Sequence, residues 1–223
     1  LEKYFKKNNK TIPYSLIKKN NLYVKSNKVY LTKSNEVIIN QRDTQLIGLH
    51  NLSNMAAAIQ ISKLFKIKNS IIKNSLVNFK PLEHRMEVLK VKHKAIFIND
   101  SKATNLYSTK SALESFNKNI ILILGGYSND DFDKNQIISI FNNNKIDKII
   151  CYGDIGKEIS ILSNSYKKTI YREKFSDSIL KAIEVAKNKN IILLSPGFKS
   201  YDQFNNFEER GNKFKELVNK YCN

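Results

Sequence analysis

From about residue 90 to its end, the chain alternates between short apolar runs and longer amphipathic segments. The apolar runs have the length of buried strands, and glycine closely follows three of them, as is common where a strand ends. This alternation predicts a parallel sheet covered by helices on both faces, with ligands bound at the carboxyl ends of the strands. The predicted strands are 95–99, 120–124, 148–152, 169–171 and 191–194, and the predicted helices are 108–116, 135–141, 156–162, 177–187 and 207–221.

The first 80 residues predict a different arrangement. Two β-prone runs on either side of Ser26-Asn27 are typical of a hairpin. A later Ala-rich segment indicates a buried helix, for which Asn51 or Ser53 is the expected cap. We therefore predict an α/β protein in which a β-rich and then helical segment precedes a Rossmann-like domain with a parallel sheet. The boundary is expected between residues 79 and 88; the predicted strands are 22–24, 29–31 and 36–40, and the predicted helices are 55–65 and 70–79.

The formal net charge of +18 suggests a nucleic-acid binder, but the residue types argue against one. Of the 38 basic residues only four are Arg, and the lysines are scattered through the whole chain. Proteins that read bases and phosphates use Arg for its bidentate fork. Lys, Asn and Ile are also the residues that AT-rich codons favour. We therefore attribute the charge to genome composition and expect no nucleic-acid partner.

Simple features of the chain exclude other classes of protein. No apolar run approaches the roughly 20 residues of a membrane span, so no membrane partner is expected. Cys151 and Cys222 cannot build a disulfide framework or a metal cluster by themselves, which favours a cytoplasmic setting. A G-x-x-x-x-G-K-[ST] phosphate loop is absent, since GDIGK at 153–157 has the wrong spacing. The chain starts at Leu1, without a signal segment, so we expect it to be a piece of a longer protein.

Three polar clusters lie where a ligand would bind. The first, residues 50–54, opens the Ala-rich helix; an Asn amide matches the edge of adenine, and helix capping is the alternative. The second joins residues 83–85 to residues 99–105. There Asp100 and Lys102 follow a predicted strand, and a lysine supplies a charge for a phosphate or a carboxylate. A polar turn with a helix cap is the alternative.

The third cluster, residues 195–211, also follows a predicted strand and leads into a helix. Ser200 and the neighbouring backbone N–H groups would suit a carboxylate. Phe204 and Phe207 are equally explained as core residues. Neither a Ser-His-Asp spacing nor a His/Cys cluster for zinc is found.

Together these clusters make the chain resemble the Mur ligases, and within that family the branch that adds D-glutamate. The resemblance covers nearly the whole chain from residue 48. Its most specific part is DSKATN, because sister ligases and folylpolyglutamate synthases carry a D-x-A-H type motif there. The segments that carry the resemblance are GLHNLSNMAAA (48–58), LEHRMEV (82–88), INDSKATN (98–105), LILGG (122–126) and LLSPGFKSYDQFNNFEERG (193–211).

The resemblance implies a three-domain, ATP-dependent acid–D-amino-acid ligase of peptidoglycan synthesis. Residues 1–81 would be the last part of its central ATPase domain, and residues 82–223 its complete Rossmann-like third domain, with the phosphate loop upstream. ATP would phosphorylate UDP-N-acetylmuramoyl-L-alanine, and D-glutamate would attack the acyl phosphate. Both steps build negative charge, so cations and Mg²⁺ are expected to contribute. A cytoplasmic monomer is expected, and this chain alone is expected to be inactive.

The resemblance also implies roles for individual residues. Lys102 and His84 would be catalytic, with His84 near the domain junction. No metal ligand is implied in this part of the protein. ATP would be bound by His50, Asn54, Arg85 and Asp100, and D-glutamate by Lys102, Thr104, Ser200 and Phe207.

One departure from the family pattern concerns the amino-acid site. The family has a Lys after the Gly-Gly turn, whereas Asn129 stands near that place here, followed by Asp130 and Asp131. Lys199 replaces the small residue expected before Ser200. We expect Lys199 to take over the side-chain carboxylate of D-glutamate; the alternative is that it points into solvent. The competing function is a degenerate, non-catalytic remnant or a basic binding module.

Overall fold

The structure is a computed structural model that describes residues 21–129, 131–163 and 169–223. The chain divides into two compact units at the bond between Lys80 and Pro81. Each unit has a hydrophobic core of its own. No helix in the described ranges is long and apolar enough to cross a membrane.

The first unit contains a three-stranded antiparallel sheet in the order β1-β2-β3. Ser26 and Asn27, between the first two strands, have φ angles of 49° and 60°. Two central residues with positive φ make a hairpin turn whose twist matches that of its strands. The predicted hairpin and third strand are confirmed. The strands are β1 (Leu22–Lys25), β2 (Lys28–Leu31) and β3 (Val37–Asn40).

Two helices follow, α1 (Leu49–Leu64) and α2 (Asn69–Asn78). The cap expected for the first of them was wrong, because α1 begins at Leu49 rather than at residue 55. Asn51 and Ser53 therefore lie inside the helix, and no side chain caps it. Apolar residues of both helices pack against the sheet in one core, which contains Leu22, Val29, Ile38, Ile39, Leu52, Met55, Ile59 and Ile72.

The second unit is built on a six-stranded sheet in the order β4-β5-β9-β6-β7-β8. All neighbouring strands are parallel except β4, which is antiparallel to β5. The five predicted strands are confirmed. Strand β4 was not predicted, because three residues at a sheet edge produce little pattern. The strands are β4 (Glu87–Leu89), β5 (Ile96–Asn99), β6 (Ile120–Gly125), β7 (Ile146–Tyr152), β8 (Thr169–Arg172) and β9 (Ile191–Gly197).

Helices cover both faces of this sheet, as predicted. On one face, Phe175 and Phe214 from two helices pack against Ile121 and Ile123 of β6. Alternate residues of β6 point to the opposite face, where the side chains of Leu106 and Leu124 both approach Gly197. The helices are α3 (Leu106–Glu114), α4 (Lys134–Phe141), α5 (Gly153–Leu162), α6 (Phe175–Val185) and α7 (Phe207–Cys222).

Candidate functional site

The carboxyl ends of β5, β9 and β6 bring the second and third polar clusters together. Strand β9 lies between β5 and β6, and the three strands run in the same direction. Backbone hydrogen bonds join the loops that follow: Asp100 N donates to Leu194 O (2.8 Å), and Gly197 N donates to Ala103 O (2.9 Å). Ligands bind at this edge in folds of this kind. We name it the strand-end site and define it by loops 99–105, 125–129 and 195–203.

Asp100 is almost fully buried within this site. Its carboxylate accepts hydrogen bonds from Ser195 Oγ (2.8 Å) and from the backbone N–H of Met86 (3.3 Å). Burial raises the pKa of Asp100 to about 7, although both hydrogen bonds and the charge of Arg85 act in the opposite direction. Asp100 therefore ties the segment that carries Arg85 to the ends of β5 and β9, and it titrates near neutral pH.

This raised pKa predicts a pH dependence of stability. In the unfolded chain Asp100 should titrate near its ordinary pKa of 3.8, so between there and about pH 7 the folded state holds a proton that the unfolded state has lost. The contribution of Asp100 to the free energy of unfolding should therefore decrease as the pH rises through this window, by at most about 1.4 kcal/mol per pH unit.

Asp100→Asn should remove this decrease. Denaturant unfolding of the wild type and the variant at several pH values between about 4.5 and 7.5 measures the difference. The free energy of unfolding should fall more steeply with pH in the wild type than in the variant, and the difference in slope should correspond to at most one bound proton. Parallel stability curves across the window would show that the folded state does not hold this proton.

His84 is buried, at 4% exposure. Its Nδ1 lies 3.0 Å from Asn99 Nδ2, and a neutral ring with its proton on Nε2 can accept a hydrogen bond there. Burial and the charge of Lys215 lower the pKa of His84, while nearby acids such as Glu87 oppose the shift. The carbonyl of His84 accepts a hydrogen bond from the N–H of Lys102 (3.0 Å). The catalytic role expected for His84 stays a prediction, and this geometry favours support of the Lys102 loop.

Lys102 and Phe207 connect the second cluster to the third. The ammonium of Lys102 lies 3.7 Å from the centroid of the Phe207 ring, at the start of α7, in a cation–π contact. Phe207 is only half-buried, so it is not a plain core residue. Thr104, half-buried, follows β5, and Ser200, at 2% exposure, follows β9. The structure thus places all four predicted D-glutamate residues at one edge of the sheet.

Lys199 lies beside the turn that follows β6. Its carbonyl accepts a hydrogen bond from Tyr127 N (2.8 Å), and the two residues form an antiparallel bridge. Gly126 has a φ of 128°, and a Cβ there would lie 2.2 Å from the Lys199 carbonyl oxygen, so only glycine fits. The Lys199 side chain is exposed, and no acid within the described ranges forms an ion pair with it. Asp130 lies outside the described residues.

The first cluster belongs to the other unit. His50 and Asn54 are exposed and lie four residues apart on α1, so they share one face of that helix. Capping does not explain Asn54, because the helix begins five residues earlier, at Leu49. Capping does explain Asn105 of the second cluster, whose side chain accepts a hydrogen bond from Ser108 N (2.9 Å) at the start of α3.

Comparison with known proteins places the chain in a family. Residues 84–198 match the family model described as "Mur ligase, glutamate ligase domain". The chain belongs to the Mur ligase family. Similar curated proteins include the UDP-N-acetylmuramoylalanine–D-glutamate ligase of Oenococcus oeni, which is 36% identical over 89% of this chain and 44% of its own length. That of Fusobacterium nucleatum is 37% identical over 95% and 49%. The chain spans about half the length of these relatives.

Solved structures of other Mur ligases share the fold. UDP-N-acetylmuramate-alanine ligase MurC of Thermotoga maritima matches 92% of this chain and 47% of its own, with a TM-score of 0.64 and 15% identity. MurF of the same organism, in complex with ADP, matches 89% and 45%, with a TM-score of 0.62 and 13% identity. At such low sequence identity these matches are evidence for the fold alone. The shared fold confirms the predicted α/β class.

Asn99, Arg210 and Gly211 lie in the polar clusters that the sequence singled out, but no role was predicted for them; in the structure they support the strand-end site. Asn99 Nδ2 donates to Glu87 Oε2 (3.1 Å) and to the Gly211 carbonyl (3.2 Å), and its Oδ1 accepts from Ser101 N (3.2 Å). Gly211 leaves room for the His84 ring, since a Cβ there would lie 2.2 Å from Nδ1. Arg210 is fully buried. Because polar residues are rarely buried, the sequence did not predict the burial of Asn99 and Arg210.

A magnesium site does not follow from the residues that the structure describes. Among them, no group of three His, Cys, Asp or Glu side chains is placed to hold a metal ion. Asp100 alone is a single, largely buried carboxyl group. We therefore assign no step of the reaction to Mg²⁺ on residues of this chain.

Proposed function

We propose that this chain is the amino-acid-binding portion of an ATP-dependent ligase that joins D-glutamate to UDP-N-acetylmuramoyl-L-alanine in peptidoglycan synthesis. The observation that carries the proposal is the meeting of DSKATN with the segment SPGFKSYDQFNNF (195–207) at one sheet edge, through Lys102 and Phe207. The names of the relatives support the substrate. We further propose that residues 1–81 end a central ATPase domain, that residues 82–223 form the third domain, and that the ligase is a cytoplasmic monomer.

The strand-end site suits an amino acid with two carboxylates. Burying either carboxylate of D-glutamate without a partner would be costly. Lys102 supplies one cation in the loop after β5, and Lys199 exposes a second on the loop after β9. We assign one carboxylate to Lys102 with the hydroxyls of Thr104 and Ser200, and the side-chain carboxylate to Lys199. Phe207 holds the Lys102 ammonium from the other side.

The same residues suit the chemistry of amide formation. ATP supplies the phosphoryl group that activates the acceptor carboxylate, and the deprotonated amine of D-glutamate then displaces phosphate from that carbon to form the amide. Negative charge grows at the attacked carbon's oxygen, where the preorganised charge of Lys102 stabilises it. We assign the exposed Arg85 to phosphate oxygens, the neighbouring Asp100 to the nucleotide, and His50 with Asn54 to the adenine edge.

Titration of the isotope-labelled 223-residue chain with D-glutamate tests the binding site. We expect amide shifts in the strand-end site, and smaller ones with L-glutamate. Lys102→Ala should abolish them. Lys118→Ala should not, because this exposed lysine precedes β6 at the opposite end of the strands. The chain alone should release no phosphate from ATP, since it contains no phosphate loop. An unresponsive wild-type chain, or one that binds a short RNA instead, would favour the remnant or the basic module.

Lys199→Ala should change amino-acid recognition in the full-length ligase. We expect the KM for D-glutamate to rise roughly tenfold, about the loss of one charge-assisted contact, while the KM for ATP stays unchanged. Steady-state kinetics with each substrate varied in turn give both constants, and Lys118→Ala is again the matched control. An unchanged KM for D-glutamate would show that Lys199 points into solvent.

A further inference from the structure

Arg210, near the start of α7, is the largest fully buried side chain in the described part of the protein. Its Nε and Nη2 donate to the hydroxyl (3.0 Å) and the carbonyl (2.8 Å) of Ser101, after β5. Its Nη1 donates to the carbonyls of Phe198 (3.1 Å) and Lys199 (3.3 Å), the two residues that follow β9. The same nitrogen also donates to the hydroxyl of Tyr152 (3.1 Å), the last residue of β7. One guanidinium thus joins three strand ends.

The guanidinium also lies next to the end of a further strand, β6. Gly126 directly follows β6, and a Cβ at Gly126 would lie 3.2 Å from Arg210 Nη1. Strands β5, β9, β6 and β7 are consecutive neighbours in the sheet. Arg210 therefore contacts or borders the carboxyl ends of four adjacent strands, which is the edge that forms the strand-end site.

Stability alone does not explain a charge in this position. Within the described ranges no carboxylate lies within 4 Å of the Arg210 guanidinium. Asp202 is the acid whose charge interacts with it at longer range: burial raises the pKa of Asp202, and the charge of Arg210 opposes that shift. The hydrogen-bond partners of Arg210 are carbonyl and hydroxyl oxygens that carry no charge. A buried charge is expensive even when hydrogen-bonded, and well-packed apolar side chains often stabilise a core as much or more. What the planar, five-donor fork does, and an apolar side chain cannot, is to hold several oxygens in fixed directions.

The oxygens that Arg210 holds belong to the loops that carry the site. Ser101 immediately precedes Lys102, and Lys199 immediately precedes Ser200. Ser101 also passes the restraint on, since its hydroxyl donates to the carbonyl of Phe207 (2.8 Å), whose ring contacts the Lys102 ammonium. We propose that Arg210 is a positioning residue that sets the separation between the Lys102 loop and the Lys199–Ser200 loop. For the identity of the ligand, this proposal rests on the proposed function.

Amide hydrogen exchange of the 223-residue chain tests the proposal without a ligand. In Arg210→Lys, which keeps the charge but loses the fork, the amides of Lys102, Tyr127 and Gly197 should exchange about 10- to 100-fold faster, while amides inside β6 stay protected. Each of these three N–H groups donates a hydrogen bond in which either the donor or the acceptor lies in a loop that Arg210 holds. If Arg210→Lys does not fold, Tyr152→Phe is the second variant to test. It removes only one of the acceptors of Arg210, so it should speed up amide exchange at Tyr127 by a smaller factor.

Phe214→Leu is the matched control, because Phe214 lies one turn further along α7, is fully buried and packs against Phe97 rather than the loops. It should lower the melting temperature without selective exchange at the three amides. In a parallel titration, Arg210→Lys should weaken D-glutamate binding at least tenfold and Phe214→Leu should not. Uniformly faster exchange in Arg210→Lys, as in the control, would overturn the positioning role. A wild type that ignores D-glutamate would overturn the proposed function, and the exchange data would still decide on Arg210.

Discussion

Lys102→Ala should lower kcat/KM of the full-length ligase by on the order of 10²-fold or more, about the loss of one transition-state charge contact. The physical reason is the position of the ammonium, which the Phe207 ring holds at the end of β5, where the substrate carboxylate and the growing negative charge would lie. The free energy of unfolding should change by less than about 1 kcal/mol, since the side chain is only half-buried and loses one cation–π contact.

Steady-state kinetics and denaturant unfolding of the same preparations separate these two effects. Lys118→Ala, which removes an equal charge from the opposite end of the sheet, should leave both measurements unchanged. Normal kinetics in Lys102→Ala, or normal kinetics with a large loss of stability, would assign Lys102 to the structure rather than to the reaction.

Gly211→Ala should destabilise the protein by about 1–3 kcal/mol, the usual cost of overpacking a core. The new methyl group would lie 2.2 Å from His84 Nδ1 and 2.8 Å from two further ring atoms. The ring cannot simply move, because Asn99 binds its Nδ1 and the backbone of His84 has a φ of 61°. The displaced ring should also loosen the Lys102 loop, since Lys102 N donates to the His84 carbonyl.

The same substitution should change sign when the ring is absent. In a His84→Ala background, Gly211→Ala should be neutral or stabilise by up to about 1 kcal/mol, because alanine is the better helix former in α7. A double-mutant cycle by urea unfolding measures this coupling. Asn212→Ala, at the next and exposed position of α7, controls for general effects on the helix. Equal costs of Gly211→Ala in both backgrounds would show that the His84 ring is not what fills this space.

Local pattern was enough for most of the secondary structure. Strand β6 is buried along its whole length, so its apolar run and the following glycines identified it directly. The same reasoning failed for β4, which has three residues, and for the start of α1, where Gly48 rather than a polar cap precedes the helix. In both cases the deciding contacts are tertiary: β4 pairs with β5, and Leu52 of α1 packs in the core of its unit.

For the candidate site too, part could be predicted from the sequence and part could not. Lys102, Thr104, Ser200 and Phe207 were expected to act together because of the resemblance to the Mur ligases, and the structure places them at one edge of the sheet. Meeting at one edge is what the ends of parallel strands allow. The burial of His84 was not predicted, because it depends on Gly211, a residue far along the chain that has no side chain and so leaves space for the ring. Burial of Arg210 could not be predicted either, since its partners come from three separate loops.

The sequence by itself determined most of the strands and helices, the parallel direction of most strands in the large sheet and the edge at which the polar loops lie, because these follow from local periodicity and from the alternation of strands and helices. Only the tertiary structure decided that β9, the last strand in the chain, lies between β5 and β6. That insertion brings the Ser200 loop between the Lys102 loop and the Gly126 turn and gives Arg210 its oxygens. Strand order depends on contacts between residues roughly 70 to 95 positions apart, which no local pattern encodes.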